Sequence, residues 1–525
     1  MLKFKFHSQK THTEGESHEC NGTPPLACIK GAENGTGVSR AYGNLDGVLS
    51  TSLPPPQSQE QEERVVQGFL SGLQKLFTKE NNWPFLRPLL TSMEFCAKCH
   101  GCSEACPVFL GSGRNELYRP ASRSEIFRGL VKRHVKPDRW LPKLGTGIRL
   151  NWETLVRLYE LAYRCCLCRR CAQFCPLGID NALIAREVRK LFSQELGWAP
   201  KEFHENGTFL WMARGSSTGM TPKALRDILD FLDEEASEKL GARVKTPLDK
   251  PGADILLVHN AGEFLSWPEN PEAYSILFNA AGLDWTLSSG AYDITNYGLF
   301  YDDIQFARIG FKAMESAKNL KVKRIVVGEC GHAHKAFLST ADRLFMGDLN
   351  IPRISALSLL ESVVFSGRVE FLPHKNAFPV TLHDPCNIVR NLGIFEPQRN
   401  ILRYLCPDFR EMTPSGMNNF CCGGGGGLAM LSSRGFLDWR VQVSGKMKLE
   451  QILHVFKDCL YTKTKKYVCA PCSNCKRQLN DLLDYYKLTE KYGIVCGGIG
   501  ELVVNAMACL KKPFLFQEQE GIGLI

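Results

Sequence analysis

Nowhere in this 525-residue chain is there an apolar run of the roughly 18 residues that a membrane-crossing helix requires. No segment is therefore expected to span a bilayer. The first residues, Met1-Leu2-Lys3-Phe4-Lys5-Phe6-His7, lack the apolar core and small-residue cleavage site of a secretory signal. A reducing, cytoplasmic setting is expected, with any membrane contact made through a partner subunit. A flavin domain is not evident either. Cysteine is the opposite case, with 22 residues, most of them clustered. In a long chain without export features, clustered cysteines read as metal ligands rather than disulfide staples.

The net charge is +9. The excess is local, since the stretch from Arg114 to Arg170 holds 14 Lys and Arg against 5 Asp and Glu. This stretch lies between and around two cysteine runs. An iron–sulfur cluster with four thiolates is anionic, and nearby cations stabilise it and raise its potential. That reading is preferred to nucleic acid, and no nucleic-acid partner is expected. Some of these arginines also fit an ordinary solvated face.

Residues 1–60 lack periodicity and are rich in Gly, Ser, Thr, Pro, Glu and Gln, with Pro54-Pro55-Pro56 near the end. They read as a disordered or partner-bound extension, and Cys20 and Cys28 within them as unliganded thiols. From Val65, the positions Val66, Phe69, Leu70, Leu73, Leu76 and Phe77 follow helical spacing. Trp152–Ala162 and Asn181–Leu196 predict further helices, with Gly197 as a stop. Residues 61–200 thus form a mostly helical domain, and 201–250 a polar, helix-containing connector. The texture then changes. Ala253–Val258, Arg324–Gly328, Phe378–His383 and Lys466–Cys469 predict strands, with helices at Glu272–Ala281 and Tyr301–Asn319. Alternating strands and helices indicate an α/β region with a largely parallel sheet and a weak internal duplication, divided at 251–375 and 376–525. The expected fold class is α plus α/β, multidomain.

Two runs carry the strongest signal: Cys96-x2-Cys99-x2-Cys102-x3-Cys106-Pro107 and Cys165-x2-Cys168-x2-Cys171-x3-Cys175-Pro176. Three cysteines at three-residue steps wrap one cubane, and the fourth, before proline, reaches the other. So Cys96, Cys99, Cys102 and Cys175 are expected on one [4Fe–4S] cubane, and Cys165, Cys168, Cys171 and Cys106 on the second. Zinc needs one tetrahedron and gives no reason for paired runs ending in Cys-Pro. Cys166 is surplus and reads as a packed thiol. Two cubanes form a wire and do no bond chemistry themselves.

A second set lies downstream. His383-Asp384-Pro385-Cys386 ends a strand, Cys421-Cys422 opens the run Gly423–Gly427, and Cys472-x2-Cys475 follows the strand ending at Cys469. Adjacent cysteines suit neighbouring irons of an opened cluster better than one iron of a cubane, and glycines let backbone approach closely. A nucleotide loop is the weaker reading of the glycines, because it needs a specific strand–loop–helix context.

This arrangement resembles the cysteine-rich CCG domain of heterodisulfide reductases, and the two runs resemble the ferredoxin-like part joined to it. The likeness spans roughly residues 65–500. The fused order is most similar to DsrK-type subunits of the Dsr membrane complex, through Met93–Cys99, Cys175–Asp180 and His383–Cys386. The resemblance implies that Cys386, Cys421, Cys422, Cys472 and Cys475 hold a non-cubane [4Fe–4S] cluster at which disulfides are cleaved, with Cys469 a competitor for Cys472. It also implies a quinone-linked haem b membrane subunit and other complex subunits as partners, and a small DsrC-like sulfur carrier as substrate. The alternative is an electron-relay subunit of a flavin dehydrogenase for lactate, glycolate or glycerol 3-phosphate. Two departures from the pattern stand out. The gap before Cys472 is long, and the first CCG repeat is degenerate, surviving only as Gly328-Glu329-Cys330-Gly331-His332-Ala333-His334-Lys335. One non-cubane cluster is therefore expected. Cys330, His332 and His334 are either relics beside the cavity or, for the histidines, proton donors to a departing thiolate. Cys406, Cys459, Cys496 and Cys509 are expected to be core thiols.

Overall fold

The computed structural model describes residues 48–50, 52–82, 84–135, 149–340, 347–431 and 435–516. Cys20 and Cys28, most of the expected N-terminal extension and part of the basic stretch lie outside the described residues.

The described end of the expected extension is packed against the helical region. Leu49 is buried in the main core, and the Ser50 amide donates to the Glu160 carboxylate. One apolar side chain and one backbone donor, both taken from water, tie this short segment to the helical region. Ser58 then caps a helix Gln59–Leu76, which begins ahead of the apolar pattern because its first turn is acidic and exposed. This helix and Trp152–Tyr163 both pack on Asn181–Leu196. The last is capped by Asp180, which accepts from the Ala182 and Leu183 amides, and ends at Gly197 with φ 67°. The shared apolar seam includes Phe69, Leu73, Tyr159 and Phe192.

Beyond residue 250 there are two four-stranded parallel sheets. The first contains β1 (Ile255–Val258), β2 (Trp285–Thr286), β3 (Arg324–Val327) and β4 (Arg353–Ser355), in the order β2-β1-β3-β4. The second contains β5 (Val380–Leu382), β6 (Phe409–Arg410), β7 (Lys466–Cys469) and β8 (Ile494–Gly497), in the order β6-β5-β7-β8. The order is the same in both, so β1 corresponds to β5 and β3 to β7. Short apolar strands such as Ile325-Val326-Val327 are covered on both faces by helices, as parallel sheets require. The helix Pro222–Leu240 buries Leu225, Leu229, Leu232 and Ala236, and it packs on the helix Glu269–Ala280 of the first sheet.

The correspondence extends past the strands. Cys330 follows β3 as Cys472 follows β7, and each begins a helix. The Cys330 amide donates to the Gly328 carbonyl at 2.7 Å, and the Cys472 amide to Ala470 at 2.6 Å. His259 follows β1 as His383 follows β5. The halves meet at Glu329. Its carboxylate accepts from the Ile499 and Gly500 amides, and its carbonyl accepts from Ser473. The ends of β3 and β7, where the cysteines sit, therefore face one another.

Candidate iron–sulfur centres

Both N-terminal runs adopt one loop geometry. Lys98 and His100 flank Cys99 with φ of 54° and 60°, and Leu167 and Arg169 flank Cys168 with φ of 50° and 60°. Left-handed backbone at four non-glycine residues is costly, and its recurrence at equivalent positions marks a loop wound around something. Cys106 and Cys165 belong to different runs, yet the Arg123 guanidinium lies among Cys106, Cys165 and Cys171, with Nη2 at 3.8 Å from Cys106 Sγ. Burial opposes the Arg123 charge, and the surrounding thiolates outweigh it and hold the group charged. The two expected ligand sets differ in exposure. Cys165, Cys168, Cys171 and Cys106 are buried, whereas Cys99 is exposed and Cys96, Cys102 and Cys175 are half-buried.

The downstream cysteines converge. The Cys421 thiol lies within hydrogen-bonding reach of Cys386 and Cys422, and Cys422 Sγ is 3.4 Å from Cys475 Sγ. Cys472 in turn reaches Cys475. Cys386, Cys422, Cys472 and Cys475 line one buried cavity with Gly425, Gly426, Phe300 and Asn474. Thiol neighbours donating to Cys421 hold it well below its ordinary value, and Cys475 likewise lowers Cys472. Cys469 is turned away, among Glu329, Cys406 and Cys496. It sits within β7, where alternate side chains take opposite faces, so it does not compete for the site.

The glycine run is a cradle that side chains would fill. A Cβ on Gly425 would meet the Cys166 carbonyl oxygen at 2.5 Å, and one on Gly423 would strike the Gly445 backbone at 2.6 Å. Gly423 also has φ 100°, which only glycine adopts readily. This loop is where the second run docks. The Cys166 thiol lies 3.4 Å from the Gly423 carbonyl oxygen, and Cys421 is also within reach of Cys166 and Cys168. Arg189 bridges the two, donating to the carbonyls of Cys165 at 2.7 Å and Gly426 at 2.9 Å. Arg390 donates to the Cys168, Met417 and Asn419 carbonyls. Cys166 is a packed thiol, as its surplus position suggests, and it packs where the two sets touch.

The histidines separate. His334 is held by the Cys330 carbonyl at 2.9 Å and Ser355 Oγ at 2.7 Å, away from the cavity. His332 bonds the Asn296 carbonyl, stacks near Phe300 at 4.5 Å and reaches Asn474 at 3.5 Å, at the cavity edge. Burial lowers both to about 4, so both are neutral at neutral pH. That state is unsuited to donating a proton to a departing thiolate. Cys330 is buried next to Gly331, where an added Cβ would lie 3.2 Å from Cys472 Sγ. Among the remaining cysteines, Cys406 is buried, Cys459 and Cys496 are half-buried, and Cys509 is exposed, so Cys509 is not a core thiol. Two residues at the site escape sequence reasoning. A ring nitrogen of buried His383 lies within 4.8 Å of the Cys422 and Cys475 sulfurs. A lone histidine at a strand end offers no spacing signal. The other is Lys448, buried among Asn419, Gln451 and Met412 beside the thiols.

The residues fit iron–sulfur clusters: two matching loops of strained backbone, and a thiol-lined cradle that excludes a Cβ. Comparisons with known proteins agree. Residues 92–179 match the 4Fe-4S dicluster domain, and residues 380–480 match the cysteine-rich CCG domain. The Hdr-like menaquinol oxidoreductase iron-sulfur subunit 2 of Archaeoglobus fulgidus is 29% identical over 79% of this chain and 80% of its own length. A dihydromethanophenazine:CoB–CoM heterodisulfide reductase subunit of Methanosarcina acetivorans is 23% identical over 76% of this chain and 91% of its own. The EtfAB:quinone oxidoreductase of Syntrophomonas wolfei is 23% identical over 75% of this chain but 55% of its own length. No solved structure matches. With both domains in this order and relatives aligned along three quarters of its length, the chain is a heterodisulfide reductase-like iron–sulfur protein.

Proposed function

We propose that this chain is the catalytic iron–sulfur subunit of a membrane-associated redox complex, exchanging electrons between a quinone-linked partner and a sulfur–sulfur bond. The observation that carries this reading is the meeting of the second cysteine run with the downstream thiols at Cys166, Cys168 and Cys421. In it, Cys96, Cys99, Cys102 and Cys175 hold an outer cubane, and Cys165, Cys168, Cys171 and Cys106 an inner one. Cys386, Cys421, Cys422, Cys472 and Cys475 hold one non-cubane cluster. Residues 61–200 form the wire, and 251–375 and 376–525 are the two CCG repeats.

When bound, the non-cubane cluster supplies iron sites for sulfur and one-electron steps. Two electrons and two protons convert a disulfide to two thiols. The protein's own part is geometric. Burial of the thiols keeps water from the reacting sulfur. Arg189 and Arg390 fix the spacing between wire and site. Beside the site, a cavity of about 180 Å³ is lined by Leu167, Arg169, Arg186, Lys335 and Asn391, among others. Asp180 also lines it and pairs with Arg169, and Arg186 pairs with Glu187 and Asp303, so it gives a polar approach for a thiol-bearing segment. His332, at the cavity edge through Asn474, contributes as a neutral hydrogen-bonding ring.

The relatives named as menaquinol oxidoreductase and heterodisulfide reductase subunits favour a quinone-linked electron partner; a haem b membrane subunit, with peripheral attachment to the cytoplasmic membrane through it, is the partner proposed. Among the described residues no helix is long and apolar enough to cross a membrane. A DsrC-like carrier of sulfur metabolism is the proposed substrate. The likeness to a protein named EtfAB:quinone oxidoreductase favours a second reading, a relay beside a flavin dehydrogenase with no disulfide substrate.

The test is EPR of the loaded protein, oxidised with and without a thiol substrate. A new signal that appears only with thiol, and that is lost in Cys422→Ser, is expected. Cubane signals alone, unchanged by thiol, would favour the relay.

A further inference from the structure

We propose that His383 is a protein contact of the non-cubane cluster, donating a ring N–H to the sulfur at its Cys422–Cys475 end. The inference rests on the reading that the five thiols hold such a cluster.

Three observations carry it. His383 is fully buried, and neither Nδ1 nor Nε2 has a hydrogen-bond partner among the described residues. Leaving both nitrogens of a buried ring unpaired forfeits their hydrogen bonds to water, so an unsatisfied ring inside a core calls for a partner. A ring nitrogen and the sulfurs of Cys422 and Cys475 all lie within 4.8 Å of one another. One of the two unpaired ring nitrogens therefore faces the thiols. A second buried donor nearby, Arg390 Nη2, also lacks an acceptor. Two unfilled donors around one thiol cluster suit an occupant that only accepts hydrogen bonds, as thiolate and sulfide do.

The other repeat supplies the contrast. His259 holds the equivalent position after β1, where there is no cysteine pair. Its Nδ1 lies 3.4 Å from Glu263 without hydrogen-bond geometry, so there a carboxylate stands opposite the ring. Among the described residues no carboxylate pairs with the His383 ring, and thiols stand there instead. The cations nearest the site do not serve, because Lys448 and Arg390 are donors themselves and are engaged by Asn419, Gln451 and backbone carbonyls.

Donation to cluster sulfur stabilises the reduced form and raises the potential. A bond of this charge-assisted kind is worth about tenfold in equilibrium, or about 59 mV for one electron. The test uses the loaded full-length protein with the cluster in its paramagnetic state. Electron spin-echo modulation is recorded with natural and ring-15N histidine, and the midpoint potential is measured in His383→Leu and His383→Gln. The expected result is a weak 14N modulation that converts to 15N and vanishes in His383→Leu. The potential should fall by about 59 mV in His383→Leu at unchanged iron content and recover partly in His383→Gln, whose amide can still donate. A cluster present with no histidine modulation, and a potential unmoved in His383→Leu, would overturn the proposal. A coupling of the strength of coordinated nitrogen would overturn the donor role in favour of an iron ligand. If the wild-type iron content accounts for two cubanes only, the cluster reading itself falls, and this contact with it. Should His383→Leu fail to load, the wild-type modulation still decides.

Discussion

The two repeats have one strand order and opposite endowments. After β7, the chain presents Cys472 and Cys475; after β3, the same positions hold Cys330 and Ala333. Lys476 follows Cys475 where His334 follows Ala333. In the first repeat the freed space is filled with ordinary polar packing: His334 against Ser355, His259 against Glu263, and Asn260 Nδ2 3.6 Å from Cys330 Sγ. The lesson is that the fold outlasts the ligands. The parallel sheet needs only apolar strands covered by helices, and the cysteines sit beyond the strand ends, where they can be lost without disturbing the core.

The comparison is broken most sharply at Cys422. Cys422→Ser is expected to abolish disulfide turnover and to remove about four irons per chain, leaving both cubanes reducible. Cys330→Ser should leave iron content and turnover unchanged. Iron analysis, EPR and a turnover assay on the two variants decide this together. Equal losses would mean that the first repeat also carries ligands.

A smaller but clear effect is expected from Gly425→Ala. The new Cβ would press on the Cys166 carbonyl and lie 3.4 Å from Cys421 Sγ. It should slow reduction of the site by pre-reduced cubanes in stopped flow, at a stability cost of about 1–3 kcal/mol.

Next comes the clamp between the helical region and the first repeat. Arg186 and Lys190 on one helix both engage Asp303, Lys190 at 2.8 Å. Burial raises the Asp303 carboxyl, but the two cations outweigh it and hold it at about 2. A carboxylate lowered in this way adds stability above pH 4 or so, and that stability fades as pH falls toward about 2. Asp303→Asn should lower stability by about 2 kcal/mol at neutral pH. In thermal melts the difference from wild type should shrink as the pH falls through that window.

The smallest effect sharpens the contrast. Ala333→Cys restores a CxxC to the first repeat but supplies no adjacent cysteine pair, so iron content should not rise. Extra iron would show that spacing alone builds a centre.

Much of this is legible in the sequence, for a physical reason. The expected cubane ligands are read from local spacing, and the helix Asn181–Leu196 is readable from its periodicity and its glycine stop. Four strands are visible because they are apolar runs. The other four are not: β2 and β6 are two residues each, too short to show a pattern, and β4 and β8 lie at sheet edges. The five downstream cysteines are gathered by resemblance; four of them line one cavity, and Cys421 lies within reach of Cys386 and Cys422. His383 is out of reach, because its contact with Cys422 and Cys475 is made only when β5, the glycine loop and the helix after β7 converge. The basic stretch divides between two roles. Arg123 fits cluster electrostatics, whereas Arg170 directs its guanidinium to the Asn418 and Ala105 carbonyls and Arg164 pairs with Glu160.

The unequal burial of the two expected cubane ligand sets has a consequence for the protein in air. Oxygen and peroxide attack accessible thiolates first. Arriving from solvent, they meet Cys99 and its half-buried companions long before Cys165, Cys168, Cys171 and Cys106. Damage therefore starts at the exposed set and not at Cys168, which lies within reach of Cys421. A preparation handled aerobically would lose contact with its electron partner while the interior stayed intact, inert in a coupled assay yet chemically whole at its centre.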